Sequence, residues 1–278
     1  MAIVGAGNLA TFLAGTLRKS GYTITEIISR NSRRSRQHAR TLASKVGARA
    51  VTKTTATIDA ELLWFCVPDR TIREAAWSLA TRAKGKVRFA FHSSGALLSR
   101  ELESLRESGA AIASVHPLMT FVPGSRPSLA GVTFALEGDA AATRLARRVV
   151  RDLGGETFVL PAARKAAYHA WATFTSPLWL AFLVTLEEAA RVAGLTRADA
   201  RRMSLPIIRQ TLENYSRLGP EHSFSGPIIR GDATTVARHL GVLKEYPAVR
   251  NVYVALVLAA LDRLPARNRK ELRRLLQN

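Results

Sequence analysis

Three short segments of the chain place proton-donating side chains at spacings that suit catalysis. Two of them are Phe91-His92-Ser93-Ser94-Gly95 and Val115-His116-Pro117, and the third is Lys165-Ala166-Ala167-Tyr168-His169. Histidine, lysine and tyrosine can each give a proton to a reacting oxygen or nitrogen. On a helix, Lys165 and His169 would share one face, because they are four residues apart. The segments therefore suit the reduction of a carbonyl or an imine.

Each segment also has a structural interpretation. A histidine at the end of a strand is often a core residue, and a polar helix start could leave Tyr168 in an interface between domains. The candidate catalytic residues are His116, Lys165, Tyr168, His169 and His92. The hydroxyls of Ser93 and Ser94 could hydrogen-bond a cofactor, and Ser94 could also donate to a substrate carbonyl or carboxylate.

The chain opens on an apolar run that leads into a glycine-rich turn, Gly5-Ala6-Gly7-Asn8-Leu9-Ala10. The pattern Gly-x-Gly-x-x-Ala, between a strand and a helix, is typical of dinucleotide-binding turns. The glycines would permit a tight turn and the approach of a pyrophosphate, which the first amides of the helix would then face. An ordinary turn of small residues is the alternative. The candidate cofactor-binding residues here are Gly5, Gly7, Asn8, Leu9 and Ala10.

The end of the second predicted strand indicates which dinucleotide is bound. An NAD site usually has an Asp or Glu there to hold the ribose hydroxyls, but this chain reads Ser29-Arg30-Asn31-Ser32-Arg33-Arg34. Ser29 and Arg30 stand where a 2′-phosphate would lie, and Arg33 or Arg34 could join them from the next helix. One arginine–phosphate contact contributes about 1.5–3 kcal/mol, a preference of about tenfold or more. The pattern favours NADP; a solvated basic helix start is the alternative.

Another strand end carries candidate cofactor-binding residues. Val67 and Pro68 would lie beside the cofactor, since ligands of doubly wound sheets bind outside the carboxyl ends of strands. The next residue, Asp69, is expected to cap the helix that begins near Thr71.

A later loop, residues 224–236, is rich in glycine, proline and serine. Its Arg230 could bind a substrate carboxylate through two hydrogen bonds, or it could pair with Asp232. Asp232 is also placed to cap the helix that follows it.

Alternating strands and helices must position these loops. Apolar runs predict strands at 2–5, 23–29, 62–67, 87–92, 111–115, 132–136 and 156–160. Amphipathic segments predict helices at 8–20, 33–46, 71–81, 99–108 and 140–153. From about residue 164 the periodicity is helical throughout. We therefore predict an α/β protein: a doubly wound, Rossmann-like parallel sheet over 1–162, then an all-helical domain over 163–278 for substrate binding and dimerisation.

Composition limits the function classes further. The single cysteine, Cys66, excludes a disulfide framework and a cysteine-rich zinc site, and we expect no metal. We do not expect the opening residues to form a secretory signal, and we expect the longest apolar run, 171–186, to be a buried helix. We expect a cytoplasmic protein without a membrane partner. The net charge of +20 invites nucleic-acid binding, but the arginines are dispersed from Arg18 to Arg274, which argues against it.

Four motifs together resemble a known family. They are His92-Ser93-Ser94-Gly95, His116-Pro117-Leu118-Met119-Thr120-Phe121, Lys165-x-x-Tyr168-His169-Ala170 and Ser225-Gly226-Pro227-Ile228-Ile229-Arg230-Gly231-Asp232. The family joins a Rossmann-like NADP-binding domain to a C-terminal helical domain of unknown function, and its members are provisionally named NADP oxidoreductases. It is similar to pyrroline-5-carboxylate reductase, deazaflavin-dependent NADP reductase, prephenate dehydrogenase and ketopantoate reductase. The resemblance covers essentially the whole chain and implies an active site in the cleft between two domains and a homodimer built through the helical domain.

The resemblance and the residues together predict an NADP-dependent oxidoreductase that transfers a hydride between NADPH and a small carbonyl or imine acid in that cleft. One residue departs from the family pattern: Pro177 stands where relatives often have Asn, and a proline side chain cannot anchor a substrate. If that Asn is catalytic in relatives, this chain uses other groups or has lost the reaction. The alternatives are a non-catalytic NADP-binding sensor or scaffold and, third, a nucleic-acid binder.

Overall fold

The computed structural model describes residues 1–125 and 127–277. The chain divides into two compact units, Met1–Thr173 and the residues from Phe174 onward. The predicted domain boundary at 162/163 lies before this division, because helix Lys165–Thr175 begins within the first unit. The extent of the two domains stays a prediction.

The first unit is built on an eight-stranded sheet with helices between the strands. Its strands are β1 Ala2–Val4, β2 Glu26–Ser29, β3 Arg49–Thr52, β4 Leu62–Phe65, β5 Phe89–His92, β6 Ala111–Pro117, β7 Thr133–Gly138 and β8 Glu156–Val159. Its helices are α1 Asn8–Lys19, α2 Arg33–Val46, α3 Ile72–Ala83, α4 Glu103–Arg106, α5 Ala140–Asp152 and α6 Lys165–Thr175. The strand order, β3-β2-β1-β4-β5-β6-β7-β8, confirms the predicted doubly wound α/β fold.

The sequence predicted a parallel sheet, but one pair of strands is antiparallel. Strand β7 runs antiparallel to β6, with Val115 opposite Leu136, whereas the other neighbouring strands are parallel. A parallel neighbour needs a crossover connection, usually a helix. The described residues between Pro117 and Thr133 contain no helix, so the chain returns beside β6 in the opposite direction.

Strand β3 was missed by the sequence analysis. It is a short edge strand, and its first two residues, Arg49 and Ala50, are exposed. An edge strand buries neither face fully and therefore gives no continuous apolar run. It pairs with β2 in parallel, with Thr52 beside Ser29.

The sheet buries apolar side chains on both faces. One core contains Leu13 of α1, Leu42 of α2 and Val149 of α5, packed with Trp64 and Phe91 of the sheet. The other core contains helix α3 and the segment around Leu105, packed against the opposite face. The predicted covering of both faces is confirmed, and it leaves the carboxyl ends of the strands as the places where a ligand can reach the sheet.

The second unit is helical. Its helices are α7 Pro177–Val192, α8 Arg197–Ser223, α9 Pro227–Arg230, α10 Ala233–Val242, α11 Pro247–Arg263 and α12 Arg269–Gln277. Its core includes Val236, Leu240, Val257 and Leu261. Across the described parts of the chain, we find no helix with the length and apolar character to cross a membrane.

The prediction of one buried helix over 171–186 is wrong. Helix α6 ends at Thr175, and Pro177 is the first residue of α7, the position where a helix tolerates proline best. Several apolar side chains of the segment are exposed, including Trp171, Phe174 and Leu180. Pro177 therefore separates two helices.

Candidate active site

The turn between β1 and α1 has the backbone of a dinucleotide-binding turn. Gly5 has φ +117°, and a Cβ atom there would lie 2.3 Å from the carbonyl oxygen of Cys66, so only glycine fits. At Gly7, by contrast, a Cβ atom would meet nothing within 4 Å. Gly7 caps α1 without a side-chain hydrogen bond, so the first amides of the helix are left for a ligand. The residues present fit a pyrophosphate.

A cavity of about 330 Å³ lies beside this turn. It is lined by Val4, Gly5, Ala6, Gly7, Ile28, Ser29, Arg30, Arg34, Ser35, His38, Lys53, Cys66, Val67 and Pro68. The predicted residues Ser29, Arg30, Val67 and Pro68 are therefore brought together. Of the two alternatives on α2, Arg34 lines the cavity and Arg33 is not among its lining residues.

Three other predicted cofactor residues, Asn8, Leu9 and Ala10, are not among the lining residues of this cavity. Asn8 donates its side-chain amide to the carbonyl oxygen of Phe121 at 3.2 Å, Leu9 is half-buried, and Ala10 is buried in the core. Ser35 and His38 also line the cavity, from α2, and were not predicted from the sequence. Helical spacing from Arg34 and from the N-cap Ser32 could have identified them.

The prediction that Asp69 caps a helix is wrong. A short 3-10 turn, Asp69–Thr71, precedes α3, and Thr71 occupies the cap position, but its hydroxyl donates to the Pro68 carbonyl and does not cap the helix. Asp69 instead accepts a hydrogen bond from Ser94 Oγ at 2.7 Å. The carboxylate thereby ties the loop after β4 to the loop after β5.

A row of buried polar residues crosses three neighbouring strands. His92 of β5 lies beside Ser114 of β6, and Ser114 lies beside Glu137 of β7. All three are buried. Residues in register on neighbouring strands share a face of the sheet, so the row forms one polar strip within an apolar core. Ser114 and Glu137 were missed by the sequence analysis, although their place inside apolar strands is a signal that could have found them.

Lys165 lies over this row. Its Nζ atom donates to Ser114 Oγ, which in turn donates to the carbonyl oxygen of Ser94 at 3.0 Å. The side chain is only 2% exposed. Burial lowers the pKa of the Lys165 ammonium to about 8, against the opposing attraction of Glu137 and Asp69. Lys165 therefore carries a proton that can be released close to neutral pH.

His116 and Tyr168 form a second polar pair. His116 Nδ1 lies 2.8 Å from Tyr168 Oη, and the two rings meet edge to face. Burial, together with the charges of Lys165 and His169, lowers the pKa of His116 to about 4. Burial also raises the pKa of Tyr168 to about 12. At neutral pH the pair is therefore an uncharged imidazole and a protonated phenol.

Gly95 brings the loop after β5 against the histidines. A Cβ atom on Gly95 would lie 2.6 Å from His169 Cδ2 and 2.7 Å from His116 Nε2. The ring centroids of His116 and His169 are 6.2 Å apart. The loop, β6 and α6 therefore meet at these three residues, and any side chain larger than that of glycine would separate them.

The remaining predicted residues of this loop are engaged with their own surroundings. His92 accepts from the Ser94 amide through Nδ1 and donates to the Leu98 carbonyl through Nε2, and burial lowers its pKa to about 4. Ser94 Oγ accepts from the amides of Ala96 and Leu97. Ser93 Oγ accepts from the Trp64 indole at 2.9 Å. These bonds fix the shape of the loop.

Arg230 belongs to the second unit. It is exposed and ends α9, and Gly231 follows it in the left-handed conformation. Asp232 accepts from the Thr235 amide at 2.9 Å and from its hydroxyl at 2.7 Å, so its predicted role as a helix cap is confirmed. The pairing of Arg230 with Asp232 is not found among the ion pairs of the described residues. Substrate binding by Arg230 stays a prediction.

Two family models match the chain. The model described as NADP oxidoreductase, coenzyme F420-dependent, matches residues 1–88, and the model of a domain of unknown function, DUF2520, matches residues 132–260. Together they account for more than half of the chain. No curated protein matches it at a significant level.

Several solved structures share the fold. A protein from Bacteroides fragilis, provisionally named an NADP oxidoreductase, is 23% identical with TM-score 0.74, over 94% of this chain and 97% of its own. A protein from Thermotoga maritima is 25% identical with TM-score 0.71, over 99% and 98%. An imine reductase from Myxococcus stipitatus, solved with NADP⁺, is 16% identical with TM-score 0.66, over 94% and 93%.

The family assignment predicted from the four motifs is confirmed, and with it NADP as the cofactor of the family. The chain joins an N-terminal domain that matches the NADP oxidoreductase, coenzyme F420-dependent, family model to a C-terminal domain that matches the model of a domain of unknown function, DUF2520.

Proposed function

We propose that the chain is an NADP-dependent oxidoreductase that transfers a hydride between NADPH and a small carbonyl or imine acid. One observation carries the proposal. The sheet whose first turn fits a dinucleotide also gathers His116, Lys165 and Tyr168 around the ends of β5 and β6. In doubly wound sheets, ligands bind outside the carboxyl ends of the strands.

The cofactor would occupy the cavity beside the turn at Gly5–Gly7. The open face of Gly7 and the first amides of α1 would hold the pyrophosphate, and Arg30 and Arg34 would hold the 2′-phosphate. When bound, NADPH supplies the hydride. The chain itself must orient the substrate, exclude water and provide the proton.

Lys165 is the group best suited to provide the proton. With a pKa of about 8 its ammonium is mostly protonated at neutral pH and still able to give up a proton. Ser114 fixes the position of Nζ, and Lys165 is almost wholly buried. The reacting oxygen or nitrogen of the substrate would accept this proton.

The His116–Tyr168 pair would orient the substrate. Because burial keeps the imidazole uncharged, the pair can donate a hydrogen bond to a carbonyl oxygen or an imine nitrogen without carrying a charge. Gly95 leaves His116 Nε2 without a side chain in front of it. His169 lies at the edge of the same group, and Arg230 is our candidate for binding the substrate carboxylate.

We also propose that the protein is a homodimer formed through the helical domain. Large apolar side chains on its helices are exposed, among them Leu180 on α7, and Ile207 and Tyr215 on α8. Exposed apolar surface of this kind is typical of protein interfaces. Sedimentation at several protein concentrations tests the association, and a monomer at every concentration would contradict it.

Calorimetric titration with NADPH and NADH tests the proposed function. We expect the wild type to bind NADPH more tightly, and Arg30→Ala to weaken NADPH binding about tenfold, or about 1.4 kcal/mol. A screen of keto acids and cyclic imine acids, followed by NADPH absorbance, would then identify the substrate. Absence of binding for either nucleotide would overturn the proposal. Tight binding without turnover on any of these compounds would favour the non-catalytic sensor instead.

A further inference from the structure

Lys53 lines the proposed cofactor cavity. It follows β3, the edge strand that was not predicted from the sequence. Lys53 directly follows β3, and Arg30 directly follows β2. The two strands are parallel, with Ser29 beside Thr52. Arg30 and Lys53 therefore lie next to each other at the carboxyl ends of neighbouring strands. The Lys53 amide donates to the Ser29 carbonyl at 3.2 Å. Both side chains line the cavity beside the Gly5–Gly7 turn.

The Lys53 side chain is held in place and only 20% exposed. Its Nζ atom donates to Glu74 Oε1, on the first turn of α3, at 2.7 Å. An ammonium group has three N–H donors, so this bond leaves others for a ligand. Lys53, followed more weakly by Arg30, also lowers the pKa of Glu74, which agrees with the closeness of the two cations.

The cavity has more positive charge than the hydroxyls of a ribose require. Arg30, Arg34 and Lys53 line it, and no carboxylate is found among its described lining residues. The ribose hydroxyls of NAD are usually held by an acidic side chain, whereas a phosphate monoester carries up to two negative charges. The positive charges of Arg30, Lys53 and Arg34 therefore complement the negative charge of a 2′-phosphate.

We propose that Lys53 is a specificity-determining residue that binds the 2′-phosphate of NADP together with Arg30. This inference rests on the proposed function, since it places the cofactor in the same cavity. Arg30 contributes a planar fork of donors, and Lys53 contributes a compact charge from the neighbouring strand. The preference for NADP over NAD would then depend on residues after two strands, Arg30 after β2 and Lys53 after β3.

The test compares Lys53→Met with Lys86→Met by calorimetry. Lys86→Met is a matched control, because it removes the same charge at the amino ends of the strands, near Thr57 and Met1. The probes are NADPH, NADH, adenosine 2′,5′-bisphosphate and adenosine 5′-monophosphate. We expect Lys53→Met to weaken NADPH and the bisphosphate about tenfold, or about 1.4 kcal/mol, and to leave NADH and the monophosphate within about twofold. Lys53→Arg should keep most of the affinity.

The other outcomes overturn the inference. If Lys53→Met binds NADPH as tightly as Lys86→Met does, Lys53 does not contact the phosphate. An equal loss for NADPH and NADH would assign Lys53 to a part of the nucleotide that both share. Arg30→Ala separates this failure from that of the proposed function: a loss with Arg30→Ala and none with Lys53→Met overturns only the role of Lys53. A wild type that binds neither nucleotide overturns both.

Discussion

His116 Nδ1 and Tyr168 Oη lie 2.8 Å apart, although 51 residues separate His116 from Tyr168 in the chain. This hydrogen bond joins the end of β6 to the first turns of α6. It pairs an imidazole that burial keeps neutral with a phenol that burial keeps protonated. Each ring fixes the orientation of the other, which is what a group that positions a substrate requires.

The Tyr168→Phe variant tests the role of this pair. Removing the hydroxyl leaves the ring packing in place but takes away the partner of His116 Nδ1. We expect kcat on the substrate found by the screen to fall about tenfold or more, with NADPH affinity within about twofold of wild type. Turnover equal to that of wild type would contradict the role of the pair. Thermal unfolding provides the control for folding.

Lys165 should make stability depend on pH in a defined window. Its pKa is about 8 in the folded protein and 10.5 in the unfolded chain, so the unfolded chain binds more protons between these values. The Lys165 contribution to the free energy of unfolding therefore rises with pH, by up to about 1.4 kcal/mol per pH unit.

The measurement is denaturant unfolding of the wild type and Lys165→Met between pH 7 and about 10.5. We expect the free energy of unfolding of the wild type to increase relative to that of Lys165→Met as pH rises. Subtracting the variant removes the contribution of other titrating groups. Parallel curves would show that Lys165 titrates as it does in water.

The two arginines that begin α2 should behave differently. Arg34 lines the cavity beside the dinucleotide turn, and Arg33 is not among the lining residues. We expect Arg34→Ala to weaken NADPH binding about fivefold to tenfold, while Arg33→Ala stays within about twofold. Because both changes remove one charge at adjacent positions, an equal loss would mean that only the general field of the helix start matters. Calorimetry gives both affinities.

Substitutions of the two glycines of the opening turn should have different effects: Gly5→Ala should lower stability, and Gly7→Ala should weaken nucleotide binding. Gly5→Ala places a Cβ atom 2.3 Å from the Cys66 carbonyl oxygen at φ +117°, so we expect a loss of about 2 kcal/mol or more in the free energy of unfolding. Gly7→Ala meets nothing within 4 Å, so its stability should stay within about 1 kcal/mol of wild type.

Calorimetric titration of Gly7→Ala with both nucleotides tests whether Gly7 lets the pyrophosphate approach the turn. We expect Gly7→Ala to weaken NADPH and NADH alike, by about tenfold, because the added methyl group occupies the path of the pyrophosphate. Undiminished binding of both nucleotides by a folded Gly7→Ala protein would place the pyrophosphate elsewhere.

Local patterns in the sequence determined the doubly wound fold and the dinucleotide turn. Gly5 and Gly7 stand at fixed spacing between an apolar run and an amphipathic one, so neighbouring residues alone carry the signal. The basic residues after β2 were found in the same way. The fold class was therefore predictable, and so was the family, whose motifs are short and contiguous.

Only the tertiary structure decided which distant side chains meet. The row of His92, Ser114 and Glu137 depends on the register of three strands, and Lys53 reaches the cavity only because the inconspicuous β3 pairs with β2. The break at Pro177, the reversed direction of β7 and the bond from Ser94 to Asp69 likewise depend on how elements pack. Register and packing are set by contacts between residues far apart in the chain, and periodicity within one segment does not encode them.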